Sequence, residues 1–400
     1  MPKPQFEAPR GTHDILPSEQ PRWRQVIGEF ERLCALYGYR RIDTPVFEDT
    51  ELFTRTSGEG SDVVTKEMYT FTDRGDRSLT LRAEATAPIV RAYLEHGLHR
   101  EPQPVKLCTH ETIYRYGRPQ KGRYREHWQL DVEAIGSDDP AVDAEVIQLY
   151  DTLLRNLGVT DYRLELNSIG DVACRPAYLE KLVPWLEEHA SELDEATREQ
   201  ASRSPLRALD NIAAKPPQTQ EVLRQAPTIG DSLCDACREH FAEVQRYLDA
   251  FGVRYELVPT LVRGLDYYTR TTWEFVGGKG LGGSQSTLSG GGRYDGLAEA
   301  LGGPHTPGVG FGAGIERLLL ALEEKPLPEQ EGIDVFFVVA DGADRAAVLA
   351  KLAELRAAGV RADADFAGRS VKGQHTQASR LGAKRVVVVD AGTDLEQVSA

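Results

Sequence analysis

Arginine is the residue type in this sequence that is best placed to do chemistry. Arg115 and Arg123 share one loop, Arg263 stands in LVRGLDYYTR, and Arg317 stands in GFGAGIERLLL, each beside a predicted strand. A single arginine of this kind is usually a solvated surface residue or half of an ion pair. Arg317 differs, because it falls one turn into an apolar helix directly after a glycine-rich turn, where a buried charge needs a partner or a ligand. Since a guanidinium grips phosphate oxygens with two parallel hydrogen bonds, the four together indicate a phosphate site.

The glycine-rich segments do not match a known phosphate loop. GGKGLGGSQSTLSGGGRYDG (277–296) contains no GxxxxGK[ST], and GVGFGAG (308–314) lacks the GxGxxG spacing followed by an acidic ribose partner. If ATP binds, arginine side chains must hold it instead of a P-loop or a Rossmann turn.

The cysteines predict reduced thiols and no disulfide framework, because they are odd in number and scattered: Cys34, Cys108, Cys174, Cys234 and Cys237. The last two form CDAC, with His240 a turn later, and have the spacing of half a zinc site. A second ligand pair at metal spacing is missing from the sequence, so we assign no metal site and expect these cysteines to be small packing residues.

The charge balance is acidic, with 62 Asp and Glu against 47 Lys and Arg and a formal net charge of −15. This excludes a protein coated in non-specific nucleic-acid-binding surface, since attraction to phosphate needs clustered cations. Residues 115–125, RYGRPQKGRYR, carry five cations and no acid, which indicates a local phosphate-handling loop. The first residues lack the apolar stretch of a secretory signal, and the apolar runs are too short to cross a bilayer, so we expect a soluble cytoplasmic protein.

The elements that must position these residues fall into two or three domains, as expected for 400 residues. Residues 18–37 predict a long amphipathic helix that ends at Gly38. Short extended segments follow and favour a largely antiparallel sheet. They are YRRIDTPVF, EMYTFTD, SLTLRAE, VKLCTHETIYRY and HWQLDVEAIG.

The remaining chain predicts a helical insertion and a small terminal domain. Residues from about 175 to 255 are charged and helix-forming, apart from the proline-rich AAKPPQTQ, and extended, glycine-rich sequence then returns before the helix IERLLLALEEK and the linker PLPEQEG. From residue 333 the pattern is strand-helix-strand-helix-strand, which predicts an α/β domain. The predicted fold class is therefore α+β, with a catalytic domain over 1–325 and an α/β domain over 331–400 that ends soon after its third strand.

Several motifs in this order resemble those of class II aminoacyl-tRNA synthetases of the histidine type, over nearly the whole chain. The helix and strand ending at Pro45 resemble motif 1, which in the family builds the dimer interface. IYRYGRPQKGRYREHWQLDVE resembles motif 2, and GVGFGAGIERLLL resembles motif 3. LVRGLDYYTRTTWEF and GGGRYDGL are similar to the two histidine-specific signatures and are the most specific part of the resemblance.

The resemblance implies a role for each matching residue. Arg115 is similar to the arginine that holds the α-phosphate and the amino-acid carboxylate, Arg263 to a second cation at the α-phosphate, and Arg317 to the arginine on the γ-phosphate. Arg123 matches a loop position that reaches ATP and the tRNA acceptor end. The histidine pocket implied by the family comprises Glu84 and Thr86 for the α-amino group, with Gln129, Glu133, Tyr267, Tyr268 and Tyr294 around the imidazole, beside Arg115 and Arg263.

The implied activity is that of a homodimeric ligase that uses ATP with Mg²⁺ to activate L-histidine and load it onto tRNA(His), with the α/β domain binding the anticodon. Three features depart from the family pattern: RAEAT replaces RPEGT at 82–86, Gly117 replaces a motif 2 glutamate near adenine, and the terminal domain is short. They favour an alternative, a non-catalytic paralogue that acts as a regulatory subunit of ATP phosphoribosyltransferase. That paralogue typically lacks the terminal domain and degrades RGLDYY, both of which this chain retains. A nucleic-acid-binding module without chemistry would not explain Glu84, Thr86 and Glu133.

Overall fold

The computed structural model of the chain describes residues 6–57, 63–210, 212, 215–278, 286–328 and 332–398. The chain divides into two compact units, Met1–Pro326 and Leu327–Ala400. Part of the glycine-rich segment (279–285) and part of the predicted linker (329–331) lie outside the described residues.

The strands are named in chain order. They are β1 Arg40–Arg41, β2 Phe47–Asp49, β3 Thr70–Thr72, β4 Ser78–Leu81, β5 Val105–Tyr114, β6 Glu126–Ile135, β7 Tyr162–Ser168, β8 Glu256–Leu257, β9 Thr269–Gly277, β10 Thr287–Arg293, β11 Gly308–Gly314, β12 Val335–Val339, β13 Ala362–Ala364 and β14 Arg385–Val389.

The α-helices follow the same convention. They are α1 Gln20–Leu36, α2 Thr50–Ser57, α3 Thr86–Glu95, α4 Pro140–Asn156, α5 Arg175–Glu188, α6 Glu195–Arg203, α7 Pro217–Leu223, α8 Asp235–Phe251, α9 Leu297–Ala300, α10 Ile315–Ala321, α11 Arg345–Ala357 and α12 Val371–Arg380.

The larger unit is built on an eight-stranded sheet with the order β1-β5-β6-β11-β10-β9-β7-β8. The outermost pairs, β1 with β5 and β7 with β8, are parallel, and the pairs between them are antiparallel. The predicted α+β fold with a largely antiparallel sheet and flanking helices is thereby confirmed.

Helices α1, α4, α8 and α10 cover one face of this sheet. The sequence pattern gave no helix at α4, although Asp139 accepts a hydrogen bond from the Ala141 amide (2.9 Å) and Pro140 occupies the first turn, both typical of a helix start. The buried Tyr150 ring of α4 lies edge-on to two phenylalanine rings. Its centroid is 4.9 Å from that of Phe275 and 5.0 Å from that of Phe311. One face of the sheet is therefore buried in this core, and the other face carries a second apolar cluster around β5 together with the polar side chains of β6.

A smaller sheet, β2-β4-β3, precedes α3. The prediction of one extended segment through SLTLRAE is partly wrong, because β4 ends at Leu81 and α3 begins at Thr86. The Glu84 carboxylate accepts hydrogen bonds from the amides of Thr86 (2.7 Å) and Ala87 (2.9 Å) and so satisfies the first turn of α3. Arg82 fixes this corner, because it pairs with buried Glu111 at 2.8 Å.

The segment between β7 and β8 is helical, with α5, α6, α7 and α8 in the region of the predicted insertion; residues 211, 213 and 214 of it are outside the described part. Tyr178, Leu182 and Leu223 belong to a separate apolar core there. His240 of α8 lies 3.2 Å from the Asp143 carboxylate, through its Nε2, in a buried cluster with Arg293.

The smaller unit is a parallel sheet, β13-β12-β14, with α11 and α12. Alternate residues of β12 enter different cores, Val335 and Phe337 in one and Phe336 and Val338 in another, because successive side chains of a strand point to opposite faces. In the described part of the chain, none of the helices is both long and apolar enough to span a bilayer.

Candidate functional site

A cavity of about 370 Å³ opens over β6, β10 and β11, between the start of α3, the basic loop and the segment around Gly264. The family resemblance implied eleven site residues, and nine of them line this cavity: Glu84, Thr86, Arg115, Arg123, Gln129, Arg263, Tyr267, Tyr268 and Arg317. The other two, Glu133 and Tyr294, are buried directly behind its wall, where Tyr294 donates its hydroxyl proton to Glu133. The fold thus brings together residues that are more than 200 positions apart.

One side of the cavity holds the arginines. Arg115 donates from Nε to the Ala83 carbonyl oxygen at 2.7 Å, while Arg123 pairs with Glu67 and Arg263 pairs with Glu274. The Nε of Arg263 is buried and has no hydrogen-bond partner among the described atoms. Each of these arginines is fixed by a hydrogen bond or an ion pair, and each has further N–H groups that could donate to a ligand.

Arg317 enters the cavity from the first turn of α10. Its guanidinium donates to the backbone oxygens of Gly122 (3.3 Å) and Thr287 (2.5 Å). Burial lowers the pKa of Arg317, and the neighbouring Arg123 cation lowers it further. Clustered cations that disfavour one another's charge fit a polyanionic ligand, which would relieve that repulsion.

The opposite side of the cavity is acidic. Buried Glu133 accepts a hydrogen bond from Thr86 Oγ1 at 2.6 Å as well as the one from Tyr294. Burial raises the pKa of Glu84, and it raises the pKa of Glu133 well above its ordinary value, against the hydrogen bonds that favour the carboxylate. A ligand that brings N–H donors or a positive charge would stabilise these groups as carboxylates.

Asp131 extends the acidic side and was missed by sequence reasoning. Gln129 donates from Nε2 to Asp131 Oδ1 at 2.6 Å, whereas Asp131 Oδ2 is buried and lacks a partner among the described atoms. Burial raises the pKa of Asp131 to about 8. His127, also on the cavity wall, has its pKa lowered to about 3 by burial and by the Arg115 cation, so its imidazole is neutral.

The signal that could have found both residues is the alternation along β6. Residues 127, 129, 131 and 133 share one face of this strand, and Leu130, Val132 and Ala134 enter the core from the other. Because Gln129 and Glu133 were already singled out, the period of two assigns His127 and Asp131 to the same face.

Glycines of β10 and β11 form the floor under these side chains. A Cβ at Gly290 would overlap the Arg263 guanidinium, and a Cβ at Gly310 would overlap the Glu133 carboxylate. A Cβ at Gly312 would lie 2.5 Å from Gln129 Nε2. The glycine-rich sequence therefore makes room for charged side chains from neighbouring strands and segments.

The aromatic side chains form the remaining wall. The ring centroids of Tyr267 and Tyr268 are 4.8 Å apart, and those of Tyr267 and Tyr294 are 6.0 Å apart. A planar ligand group of modest size fits such a wall beside Glu133.

The chain is similar to known proteins in both sequence and structure. The histidyl-tRNA synthetase family model matches residues 11–318. A histidine–tRNA ligase of Moorella thermoacetica is 52% identical over 384 residues, 95% of this chain and 89% of that protein. The structure of apo S. aureus histidyl-tRNA synthetase has a TM-score of 0.80 at 40% identity and covers 96% of this chain and 91% of that chain.

A Bacillus halodurans structure, described as an ATP phosphoribosyltransferase regulatory subunit/histidyl-tRNA synthetase, has a TM-score of 0.68 at 23% identity, over 98% of this chain and 99% of that one. That likeness shows the fold alone. The family model, by contrast, covers the segments that build the cavity, from Glu67 to Arg317. On the family match and the level of identity, this chain belongs to the histidyl-tRNA synthetase family.

Proposed function

We propose that the cavity joins L-histidine to ATP, giving histidyl-adenylate and pyrophosphate, and then transfers the histidyl group to the 3′ end of tRNA(His). The observation that carries this proposal is the division of one cavity into an arginine side and a side of buried carboxylates. A triphosphate matches the first side, and an amino acid with an α-ammonium and an imidazole matches the second.

Histidine would lie on the acidic side. Glu84 and Thr86 supply a carboxylate and a hydroxyl for the α-ammonium group at the start of α3. Glu133 and Gln129 face the imidazole, with Tyr267, Tyr268 and Tyr294 around it. A pocket whose buried polar groups are paired only by the right ligand rejects analogues by as much as about 10⁴ to 10⁵, because the wrong ligand leaves those groups unsatisfied.

ATP would lie on the arginine side. Arg115 holds the α-phosphate and the histidine carboxylate, so that attack is in line, and Arg263 faces the α-phosphate from the other side. Arg317 binds the γ-phosphate, and Arg123 reaches ATP and the acceptor end of the tRNA. The reaction needs little covalent chemistry from the protein, because fixed cations stabilise the charge that develops as the carboxylate attacks phosphorus.

Mg²⁺ is expected to enter with the phosphates of ATP, where it would neutralise part of their charge. Oxygen donors suit this ion, and Glu67 and Glu316 are carboxylates on the cavity wall near the arginines. Burial raises the pKa of Glu316 to about 7, and a cation beside it would favour its ionised form.

The remaining assignments also belong to this proposal. The segment ending at Pro45 would form the interface of a homodimer, and the smaller unit would bind the anticodon of tRNA(His). The working compartment would be the cytoplasm.

Histidine-dependent exchange of pyrophosphate into ATP is the decisive experiment. We expect exchange with L-histidine and none with other amino acids, and we expect Arg115→Ala to abolish it. Arg246→Ala is the matched control, because Arg246 is an exposed arginine paired with Glu243 outside the cavity. Absence of exchange together with binding to ATP phosphoribosyltransferase would instead support the regulatory paralogue.

A further inference from the structure

Four potential metal ligands converge outside the cavity, at the base of the helical insertion. Asp171 and Cys174 follow β7, and Cys234 and Cys237 begin α8. One carboxylate oxygen and three sulfur atoms from these residues lie within 4.8 Å of one another. The sequence pattern offered no second ligand pair beside Cys234 and Cys237, but in the structure Asp171 and Cys174, which are also separated by two residues, lie next to them.

The geometry fits a tetrahedral ion of zinc size. With Zn–S bonds of about 2.3 Å and a Zn–O bond of about 2.0 to 2.2 Å, the ligand atoms of a tetrahedral site are roughly 3.5 to 3.8 Å apart. The four ligand atoms in this structure are at most 4.8 Å apart, so a small movement of the side chains would bring them to an ion. Each pair of ligands is separated by two residues and is supplied by one turn, which is the spacing of structural zinc sites. The donor set of three sulfurs and one carboxylate suits Zn²⁺ better than Mg²⁺ or Ca²⁺, which prefer oxygen.

The surrounding backbone also supports bound thiolates. The Cys234 amide donates to Cys174 Sγ at 3.1 Å, and the Ala173 amide donates to Asp171 Oδ1 at 2.9 Å. Gly170 has φ of +60°, and a Cβ there would lie 2.7 Å from the Cβ of Cys174, so the tight turn that delivers Cys174 requires glycine. Outer hydrogen bonds of this kind orient metal ligands.

The net charge of the cluster is compensated by arginine. Three thiolates, one carboxylate and Zn²⁺ carry a formal charge of −2. Arg270 Nη2 lies 3.8 Å from Asp171 Oδ2, and Arg175 directly follows Cys174 in the chain.

We propose that Asp171, Cys174, Cys234 and Cys237 bind one structural Zn²⁺ that fastens the helical insertion to the catalytic sheet. Cys174 and Cys234 are 60 residues apart and stand at the two ends of the segment that carries α5, α6 and α7. A metal that joins them closes this segment at its base and restricts the unfolded chain. Arg175 donates to the Tyr268 carbonyl oxygen, so the fastened end also supports a wall of the cavity.

Metal content of the full-length protein tests the site. The protein is purified without a polyhistidine tag or chelator, and zinc per chain is measured by mass spectrometry; we expect about one ion per chain, as in other four-ligand sites. Cys174→Ser and Cys237→Ser should reduce zinc to the buffer background. Cys34→Ser and Cys108→Ser are the matched controls, because these cysteines are also buried and free but lie in the main core, and they should retain zinc.

Cobalt substitution tests whether the cysteines bind a metal even if the cysteine variants do not fold. Wild-type protein stripped of metal and loaded with Co²⁺ should show tetrahedral ligand-field bands and sulfur-to-cobalt charge-transfer absorption, which Asp171→Cys should strengthen. A zinc-free wild-type protein, a cobalt spectrum without thiolate bands, or a disulfide between Cys234 and Cys237 would each overturn the proposal. Metal removal should also speed hydrogen exchange in residues 175–233, and unchanged exchange there would overturn the fastening role.

Discussion

Burial shifts the pKa of each carboxylate on the acidic side of the cavity toward its protonated form. Desolvation raises the pKa of Glu84, Asp131 and Glu133, although Glu84 and Glu133 each accept at least two hydrogen bonds. A bound ammonium or imidazolium would oppose this shift and favour the ionised carboxylates. Histidine binding and proton release are consequently linked in the proposed reaction.

The raised pKa of Asp131 should make the stability of the protein depend on pH. The folded protein keeps the Asp131 proton up to about pH 8, whereas the unfolded chain releases it near pH 4. Because the folded state binds more protons between these values, the free energy of unfolding falls as pH rises, by up to about 1.4 kcal/mol per pH unit from this group. Urea unfolding of the histidine-free protein at pH 5, 6 and 7 should show a shallower fall for Asp131→Asn. Parallel curves for the two proteins would mean that Asp131 is ionised in the folded state.

Arg263 tests the electrostatic role of the arginines. Arg263→Ala should slow adenylate formation by about 10² to 10³, because the proposed partner of Arg263 is the α-phosphate, where charge develops. The fall should exceed the loss of histidine affinity, and single-turnover adenylation measures it. An arginine that served only in its largely buried pair with Glu274 would lower stability, by about 3 to 5 kcal/mol, because Glu274 would lose its partner, and would leave turnover per folded molecule nearly intact.

Arg263→Lys is the control for this prediction. Lysine keeps the charge but loses the planar fork, so it should recover only part of the rate. If Arg263→Ala formed adenylate at nearly the wild-type rate, Arg263 would not be a ligand of the α-phosphate.

At the scale of elements, one face of β11 packs in the core and the other face lies under the cavity. Val309, Phe311 and Ala313 are buried in the core, while Gly310 and Gly312 leave the other face bare for the side chains of β6. A strand with side chains on both faces would displace Glu133 and Gln129 from the cavity.

Gly312→Ala should therefore impair histidine use more than stability. The new methyl group would meet Gln129 Nε2 at 2.5 Å and Asp131 Oδ1 at 3.0 Å, both ends of side chains that can shift. Displacing one polar contact to histidine should raise its KM about tenfold, equivalent to about 1.4 kcal/mol, with little change in Tm. Steady-state exchange kinetics measure KM, and an unchanged KM would exclude Gln129 from the histidine pocket.

Gly28→Ala provides the matched control in α1. A Cβ at Gly28 meets nothing within 4 Å, so this change should leave KM unaltered and stabilise the helix by about 0.5 to 1 kcal/mol.

At the scale of the whole molecule, the two compact units have separate apolar cores. The cavity is built entirely from the larger unit. Removal of residues 327–400 should therefore spare pyrophosphate exchange but lower aminoacylation on the order of 10²-fold, since lost tRNA contacts worth about 3 kcal/mol correspond to that factor. Both rates are measured on the same preparation, and an equal fall in both would show that the smaller unit only supports the fold or a dimer.

The sequence by itself determined the α+β class and the terminal strand-helix alternation, because hydrophobic periodicity and turn residues act locally. It also identified nine cavity residues, since the motif resemblance assigned them position by position. The SLTLRAE segment shows the limit of local pattern, because its strand ends at Leu81 and its Glu84 instead accepts hydrogen bonds from the first turn of α3.

Only the tertiary structure decided which distant residues share one environment. The alternation along β6 places Asp131 on the cavity face, but only the structure shows that its Oδ2 is buried with no partner among the described atoms. Asp171 became a candidate metal ligand because β7 and α8 meet at the base of the insertion, although Cys174 and Cys234 are 60 residues apart. Desolvation and ligand convergence depend on distances through space, and local sequence periodicity carries no information about them.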